Sequence, residues 1–284
     1  MAANTAHPQL ALQRSPYLAE VHRKESRFHD AWASQTDVAA LDVRSAFEAP
    51  TAMENEFILE LLGPLAGKKL LDIGAGLGES SVYFALRGAQ VTCTDLSPLM
   101  VESAAQLAHL HGVTVETTVS AAEHLNVPSD QFDIVYVANA IHHVTDKRAL
   151  FEQVHRALKP GGIFVSLDPL GYNPVINVYR QMATEVRTDD ETPLRFAILP
   201  LVRAYFAGVE HREFWIASLA LFLKYFFWDR IHPNEDRYWK RILRESRRSL
   251  KWWLPLRAVD KYLTRCPLLR RLAWNTVIWG YKAT

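Results

Sequence analysis

The apolar run Leu70-Leu71-Asp72-Ile73 breaks into Gly74-Ala75-Gly76-Leu77-Gly78. Glycine has no Cβ and adopts dihedrals closed to other residues, so alternating glycines after a strand let the backbone come close to a ligand. This is the pattern of a nucleotide-binding turn. A dinucleotide fingerprint spaces its glycines as G-x-G-x-x-G and seats a pyrophosphate at the following helix N-terminus. Here Glu79 occupies the place of the third fingerprint glycine, and Asp72 puts a negative charge where a phosphate would approach. The spacing suits a ligand that has no phosphates and carries a cationic amino group.

Other residues follow in an order that makes chemical sense. Val91-Thr92-Cys93-Thr94-Asp95 reads as a second buried strand ending in a carboxylate, which can accept two hydrogen bonds from a ribose diol. Asp95 also precedes Leu96-Ser97-Pro98, a sequence suited to helix entry, and the two roles are compatible. A third short strand, Thr114 to Val119, leads into Ser120-Ala121-Ala122-Glu123-His124-Leu125. Phe132 to Ala138 is almost continuously apolar, as in a parallel strand covered on both faces. It opens into Asn139-Ala140-Ile141-His142-His143-Val144, beyond a strand's carboxyl end, where open α/β sheets bind ligands. Leu158-Lys159-Pro160-Gly161-Gly162 then introduces a fifth strand, Ile163 to Leu167, closed by Asp168-Pro169.

In this order the segments resemble the class I S-adenosylmethionine-dependent methyltransferases, in particular the ubiquinone and menaquinone methyltransferase type. The resemblance implies S-adenosylmethionine as cofactor and S-adenosylhomocysteine as product. It also implies a cofactor-binding set of Asp72, Gly74, Ala75, Gly76, Gly78, Asp95, Leu96, Ala122, Glu123 and Asn139. One departure stands out, because Ala121 occupies the place where the family commonly has an Asp facing the adenine amino group. The implied reaction is an in-line displacement, in which the protein mainly supplies proximity, orientation and exclusion of water. A base is needed only for an acceptor that must lose a proton. His143, Asp168 and Tyr172 are the catalytic candidates, with His142 and Asn173 beside them. Each has a structural alternative, since one imidazole of such a pair commonly caps or packs and an Asp before Pro169 can shape a turn.

These motifs need a frame to hold them. Strands alternate with helices to about Leu167, which predicts a doubly wound, Rossmann-like α/β sheet of seven strands. The sheet is expected to be mostly parallel, with an antiparallel C-terminal strand. Val209 to Leu219 and Trp274 to Tyr281 are the expected last two strands, leaving 220–273 as a helical insertion. Helices are expected at Tyr17 to Ser34 and Met53 to Leu62. Residues 1–50 would form an N-terminal helical lid and 51–284 the catalytic domain. Phe28, His29, Asp30 and Trp32 suit either a lid surface or ordinary amphipathic packing.

Composition sets limits on the class. The chain has 284 residues, 49% hydrophobic, with a formal charge of +1, and so can build a core. Its two cysteines, Cys93 and Cys266, offer neither a disulfide framework nor metal-ligand spacing, so no metal is expected and a reducing cytoplasm fits. Met1 to Gln13 lacks a signal peptide's basic start and apolar core. Phe214 to Trp228 is interrupted by Ser218 and Lys224 and falls short of the ~20 residues needed to span a bilayer.

Charge is unevenly spread. Between Lys224 and Thr284 there are 15 Lys and Arg against 5 Asp and Glu, and seven of the eight tryptophans lie between Trp215 and Trp279. Basic helices rich in Trp and Leu suit the surface of an anionic membrane, so peripheral contact with the inner face of a membrane is one expectation. A solvated basic face over an aromatic core is another. Nucleic acid is a third and less favoured reading, because no recognised binding module is present and the aromatics follow helical spacing. Tyr172, Asn173, Tyr179 and Arg180 suit an acceptor pocket, while Arg187-Thr188-Asp189-Asp190-Glu191 reads as a solvated loop. The functional expectation is methyl transfer to a small hydrophobic acceptor such as a quinone, polyketide or lipid-like molecule. The alternative is a regulatory protein that binds the cofactor without turnover, and no motif speaks to oligomeric state.

Overall fold

The computed structural model describes residues 16–184 and 191–284. Met1 to Gln13 and Arg187 to Asp190 of the expected solvated loop lie outside the described residues. Helix α1 (Pro16–Ser34) is followed by the short α2 (Ser45–Glu48) and by α3 (Met53–Leu62). The alternating part runs β1 (Lys69–Ile73), α4 (Glu79–Leu86), β2 (Gln90–Asp95), α5 (Pro98–Leu110), β3 (Val115–Val119), β4 (Phe132–Ala138), α6 (Lys147–Ala157) and β5 (Leu158–Pro169). It continues through α7 (Pro174–Met182), α8 (Leu199–Arg203) and β6 (Ala207–Phe214). Three helices, α9 (Ala220–Phe227), α10 (Tyr238–Arg244) and α11 (Ser246–Leu263), precede β7 (Asn275–Tyr281).

The seven strands lie in the order β3-β2-β1-β4-β5-β7-β6. β1 pairs in parallel with β2 and β4, and β4 in parallel with β5. β7 runs antiparallel to both of its neighbours, β5 and β6. The order reverses at β1 and β4, so the glycine turn after β1 and the His-His segment after β4 emerge side by side at the carboxyl edge. Such a switch point is where open α/β sheets hold ligands.

Successive side chains on a strand point to opposite faces, and the sequence fills both. Leu70, Val91, Ile134, Tyr136 and Val165 share one face with Phe47, Tyr83 and Phe84. Leu71, Val135, Val137 and Phe164 share the other with Leu150, Phe151 and Val154 of α6. The helices between β6 and β7 join the first of these cores: Trp253 is fully buried there, with Tyr225, Tyr238 and Ile242. Asp260 of α11 accepts hydrogen bonds from the backbone N–H groups of Ile216, Ala217 and Ser218, and so fixes the insertion to the end of β6.

Some boundaries differ from the sequence expectation, for local reasons. β6 stops at Phe214 rather than Leu219, because Trp215 takes a positive φ of 67° and Ala217–Leu219 forms a 3-10 turn. β5 begins at Leu158, earlier than Ile163, since a register shift between Phe132 and Ile134 lets the Pro-Gly-Gly segment join the ladder.

Candidate active site

The three glycines of the turn do different work, although all have positive φ, at 70°, 55° and 88°. A Cβ on Gly74 would lie 2.6 Å from Cβ of Ala140, and one on Gly78 would lie 2.6 and 2.7 Å from Cβ and Cα of Ala104 in α5. Gly76 meets nothing within 4 Å. Gly74 and Gly78 therefore let the turn pack against protein, and Gly76 leaves open space above it. Beneath the turn, Oδ2 of Asp72 accepts the hydroxyls of Ser80 and Ser81, each at 2.7 Å. Burial lifts the Asp72 carboxyl to about 6 against the pull of those two bonds. Asp72 is 1% exposed and ties β1 to the first turn of α4.

Asp95 stands at the tip of β2 and braces the turn. Its Oδ2 accepts the Gly76 N–H at 2.9 Å and its Oδ1 accepts the Ser97 N–H at 2.9 Å. Each oxygen keeps a lone pair, as a vicinal diol requires. The Ser97 hydroxyl donates to Asp30 of α1 at 2.5 Å and accepts from Met100 N–H at 3.1 Å, capping α5. Leu96 is half-buried beside it. Beyond β3, Ser120 N–H donates to the Asp95 carbonyl at 2.9 Å, carrying Ala121, Ala122 and Glu123 past the same edge. Glu123 is buried, which would raise its carboxyl, but His22 of α1, 3.4 Å away, holds it below the ordinary range. Oε1 of Glu123 and the hydroxyl of Ser120 are buried without hydrogen-bond partners.

At the end of β4, Asn139 takes a left-handed φ of 52° and donates its N–H to Leu167 at 2.7 Å, turning the next residues over the end of β5. Asp168 is fully buried there. Its Oδ1 lies 2.8 Å from Nδ1 of His142 and accepts the His142 backbone N–H at 3.2 Å. Burial pushes the Asp168 carboxyl up to about 8, although the backbone N–H groups of His142 and Ile141 and the nearby His143 and Lys147 oppose the shift. The His143 ring lies 4.2 Å from that of His142, centroid to centroid, and its Nδ1 lies 3.3 Å from Glu25 of α1. Burial disfavours charge on His143, but Glu25 outweighs it and raises the pKa above the ordinary histidine range.

A cavity of about 360 Å³ opens at this point. Asn139, His142, His143 and Pro169 form its sheet side, and Phe28, Trp32, Ile176, Tyr179, Trp215 and Trp274 supply its apolar walls. Glu54 lines it as a buried carboxyl, held at 2.6 Å by the Asn275 side-chain amide and pushed above the usual range by burial. Helix α10 closes the opposite side. Its Lys240 and the preceding Arg237 lie over the Trp32 ring at 5.3 and 4.0 Å. A second cavity of about 410 Å³ is lined by Lys69, Gln90, Thr92 and Phe132, at the amino ends of the strands and away from the glycine turn.

The structure thus brings together Gly74, Ala75, Gly76, Gly78, Asp95, Leu96, Ala122, Glu123 and Asn139 along one edge, with His142, His143 and Asp168 beside them. Asp168 is 0% exposed and acts on His142 rather than lining the cavity. Tyr172 points elsewhere: its hydroxyl accepts the Phe196 N–H at 2.9 Å, under the Arg195 guanidinium. Asn173 caps α7 through Val175 and Ile176 N–H. Tyr179 and Arg180 line the cavity. Sequence reasoning passed over His22, Glu25, Glu54 and Asn275, which carry no motif. Glu25 and His29 at i, i+4 on a helix were the one readable signal, a shared face of α1.

This geometry is that of a Rossmann-like sheet with a nucleoside-cofactor turn. Residues 71–166 match the sequence model of the methyltransferase domain family. The chain is 34% identical over 172 residues to a ubiquinone biosynthesis O-methyltransferase of Pseudomonas aeruginosa, covering 59% of this chain and 69% of that protein. It is 40% identical over 126 residues to a ubiquinone biosynthesis O-methyltransferase of Pseudomonas syringae pv. tomato, covering 43% of this chain and 52% of that protein, about half its length. The phosphoethanolamine N-methyltransferase 2 of Haemonchus contortus in complex with S-adenosyl-L-methionine shares the fold, with a TM-score of 0.56 at 18% identity, over 100% of this chain and 62% of that one. The chain belongs to the class I S-adenosylmethionine-dependent methyltransferases. Its donor is S-adenosylmethionine, and the open space above Gly76 beside the Asp95 carboxylate fits that cofactor.

Proposed function

We propose that this enzyme methylates a hydroxyl group of a small hydrophobic acceptor, of quinone, polyketide or lipid-like type, held in the cavity between the sheet edge and α10. The observation that carries this reading is the aromatic cavity meeting the His142–Asp168 pair at the carboxyl ends of β4 and β5. The similarity to ubiquinone biosynthesis O-methyltransferases supports it.

The bound cofactor supplies a methyl group already activated on a sulfonium, so that an O–CH₃ bond forms as the S–CH₃ bond breaks. The chain's residues position and deprotonate. Asp95, braced by the Gly76 N–H, and the Glu123 region hold the nucleoside end. In its ionised form, the major one above about pH 8, Asp168 accepts the Nδ1 hydrogen of His142, and Nε2 is then the nitrogen that takes the proton leaving the acceptor hydroxyl. Phe28, Trp32, Trp215 and Trp274 exclude water and give an aromatic acceptor flat surfaces to pack on. The exposed basic and aromatic residues of α9 and α11 would bring such an acceptor's membrane surface to the enzyme.

Incubation with methyl-labelled S-adenosylmethionine and a lipid-rich cell extract tests the reading. Label in an organic-phase product is expected. Tight cofactor binding with no label transferred to any fraction would instead support a regulatory binding protein, and label in nucleic acid would replace the acceptor class.

A further inference from the structure

Glu25 and His29 stand one turn apart on α1, facing His143 on the segment after β4. Oε2 of Glu25 lies 3.4 Å from Nε2 of His29 and 3.3 Å from Nδ1 of His143. Both separations are long for a charge-assisted N–H···O bond, which runs about 2.7–2.9 Å. They match the ~3.4 Å expected between two ligands that each lie about 2.1 Å from one tetrahedral ion. The three donor atoms lie within 4.8 Å of one another. Glu25 is buried, and Nδ1 of His143 is buried without a well-aligned hydrogen bond. Both histidines line the acceptor cavity.

We infer that Glu25, His29 and His143 bind a divalent transition-metal ion, with zinc the best match, which fastens α1 to the segment after β4. Two imidazoles and one carboxylate are a donor set suited to zinc, whereas magnesium and calcium prefer oxygen ligands throughout. Three protein ligands leave a fourth position, and with His29 and His143 in the cavity wall that position lies toward the acceptor. The ion would thus join two segments far apart in sequence at the mouth of the site. A second trio, His142, His143 and Glu191, meets the same distance limit and shares His143. The α1 trio is preferred because Nδ1 of His142 is already engaged by Asp168 at 2.8 Å.

The test uses the full chain, stripped with a chelator and titrated separately with Zn²⁺ and Co²⁺. One equivalent of each is expected to bind, Zn²⁺ is expected to raise the melting temperature, and Co²⁺ to give the visible d–d absorption of a four- or five-coordinate site. His29→Ala and Glu25→Gln should each weaken binding at least ~10-fold, a loss in the range that even supporting residues of metal sites show. His111→Ala, at an exposed histidine that follows the C-terminal end of α5, should leave binding unchanged. No stoichiometric binding by the wild-type chain would overturn the inference, and so would affinity that survives both ligand variants or responds only to Glu191→Gln. The wild-type Co²⁺ spectrum decides the matter if a variant fails to fold. Every readout is metal binding, so failure of the acceptor assignment would leave this result standing.

Discussion

Gly78 stands against Ala104 so closely that a Cβ at position 78 would lie 2.6 Å from the alanine's own Cβ, whereas the same atom on Gly76 would meet nothing within 4 Å. Two glycines two residues apart thus do different work, one packing on the next helix and the other leaving open space above the turn. Gly78→Ala combines a clash against backbone with a φ of 88°, and should cost about 3 kcal/mol of stability. Gly76→Ala should cost only about 1 kcal/mol, because the strain is there without the clash. It should nevertheless weaken S-adenosylmethionine binding at least ~10-fold by filling the space the ligand needs, about 1.4 kcal/mol. Denaturant unfolding and calorimetric titration separate the two effects, and equal stability losses would contradict the assignment.

Asp95 joins the same turn to β2 and to Ser97. Asp95→Ala should weaken cofactor affinity by ~1.5 to 3 kcal/mol, the range for hydrogen bonds to a charged group. Asp95→Asn keeps an oxygen able to accept one of the two backbone N–H groups, and should fall between wild type and alanine. Unchanged affinity in Asp95→Ala would remove this residue from the site.

The sheet and its glycine edge were readable because their causes are local. Leu70 to Ile73 and Phe132 to Ala138 need two covered faces, and the glycines need positive φ, so pattern alone exposes them. The antiparallel ending was placed within a few residues, but Trp215, a bulky residue with positive φ, hid where β6 stops. The acceptor side was much less legible. Asp168 and His143 were expected from their position at strand ends, yet the pairing of Asp168 with His142 depends on how Asn139 turns the chain. Glu54 meets Asn275 from the other end of the sequence, and His22, Glu25 and Asp30 reach three different segments from one helix. Contacts between distant residues leave no spacing to read.

Asp168→Asn tests the pairing at the acceptor side. An amide can donate toward Nδ1 and favour the wrong imidazole tautomer, so kcat should fall by about 10²- to 10⁴-fold, as for loss of a positioned base. The KM for S-adenosylmethionine should stay within about 2-fold, since Asp95 and the glycine turn are untouched. A parallel loss of cofactor binding would show that Asp168 only shapes the turn before Pro169.

Asp72 predicts a pH dependence of stability. Its carboxyl is raised from 3.8 to about 6 by burial, so the folded chain binds a proton more tightly than the unfolded chain does. Its stabilising contribution is complete below 3.8 and is lost as pH rises toward and through about 6. The shift corresponds to about 3 kcal/mol. Asp72→Asn, which cannot ionise, should flatten that part of the melting-temperature profile and gain relative to wild type above pH 6. Identical slopes between pH 4 and 7 would remove Asp72 as the source.

The outer face of α11 carries the last prediction. Trp252, Val259 and Tyr262 are exposed at i, i+7 and i+10 with Arg248 on the same face, while Trp253 and Asp260 point inward. Trp228, after α9, is 81% exposed. Among the described residues no helix is long and apolar enough to cross a membrane, so any attachment by these helices lies along its surface. Basic residues near an anionic surface add about 1 kcal/mol each, and exposed indoles favour the headgroup zone. The chain should co-sediment with vesicles containing anionic lipid, bind neutral vesicles far less, and be partly released by high salt. Trp252→Ser combined with Trp228→Ser should weaken anionic-vesicle binding about 10-fold with no change in S-adenosylmethionine affinity. Absence of binding to either vesicle would make this a solvated basic face whose arginine stems cover the aromatic core.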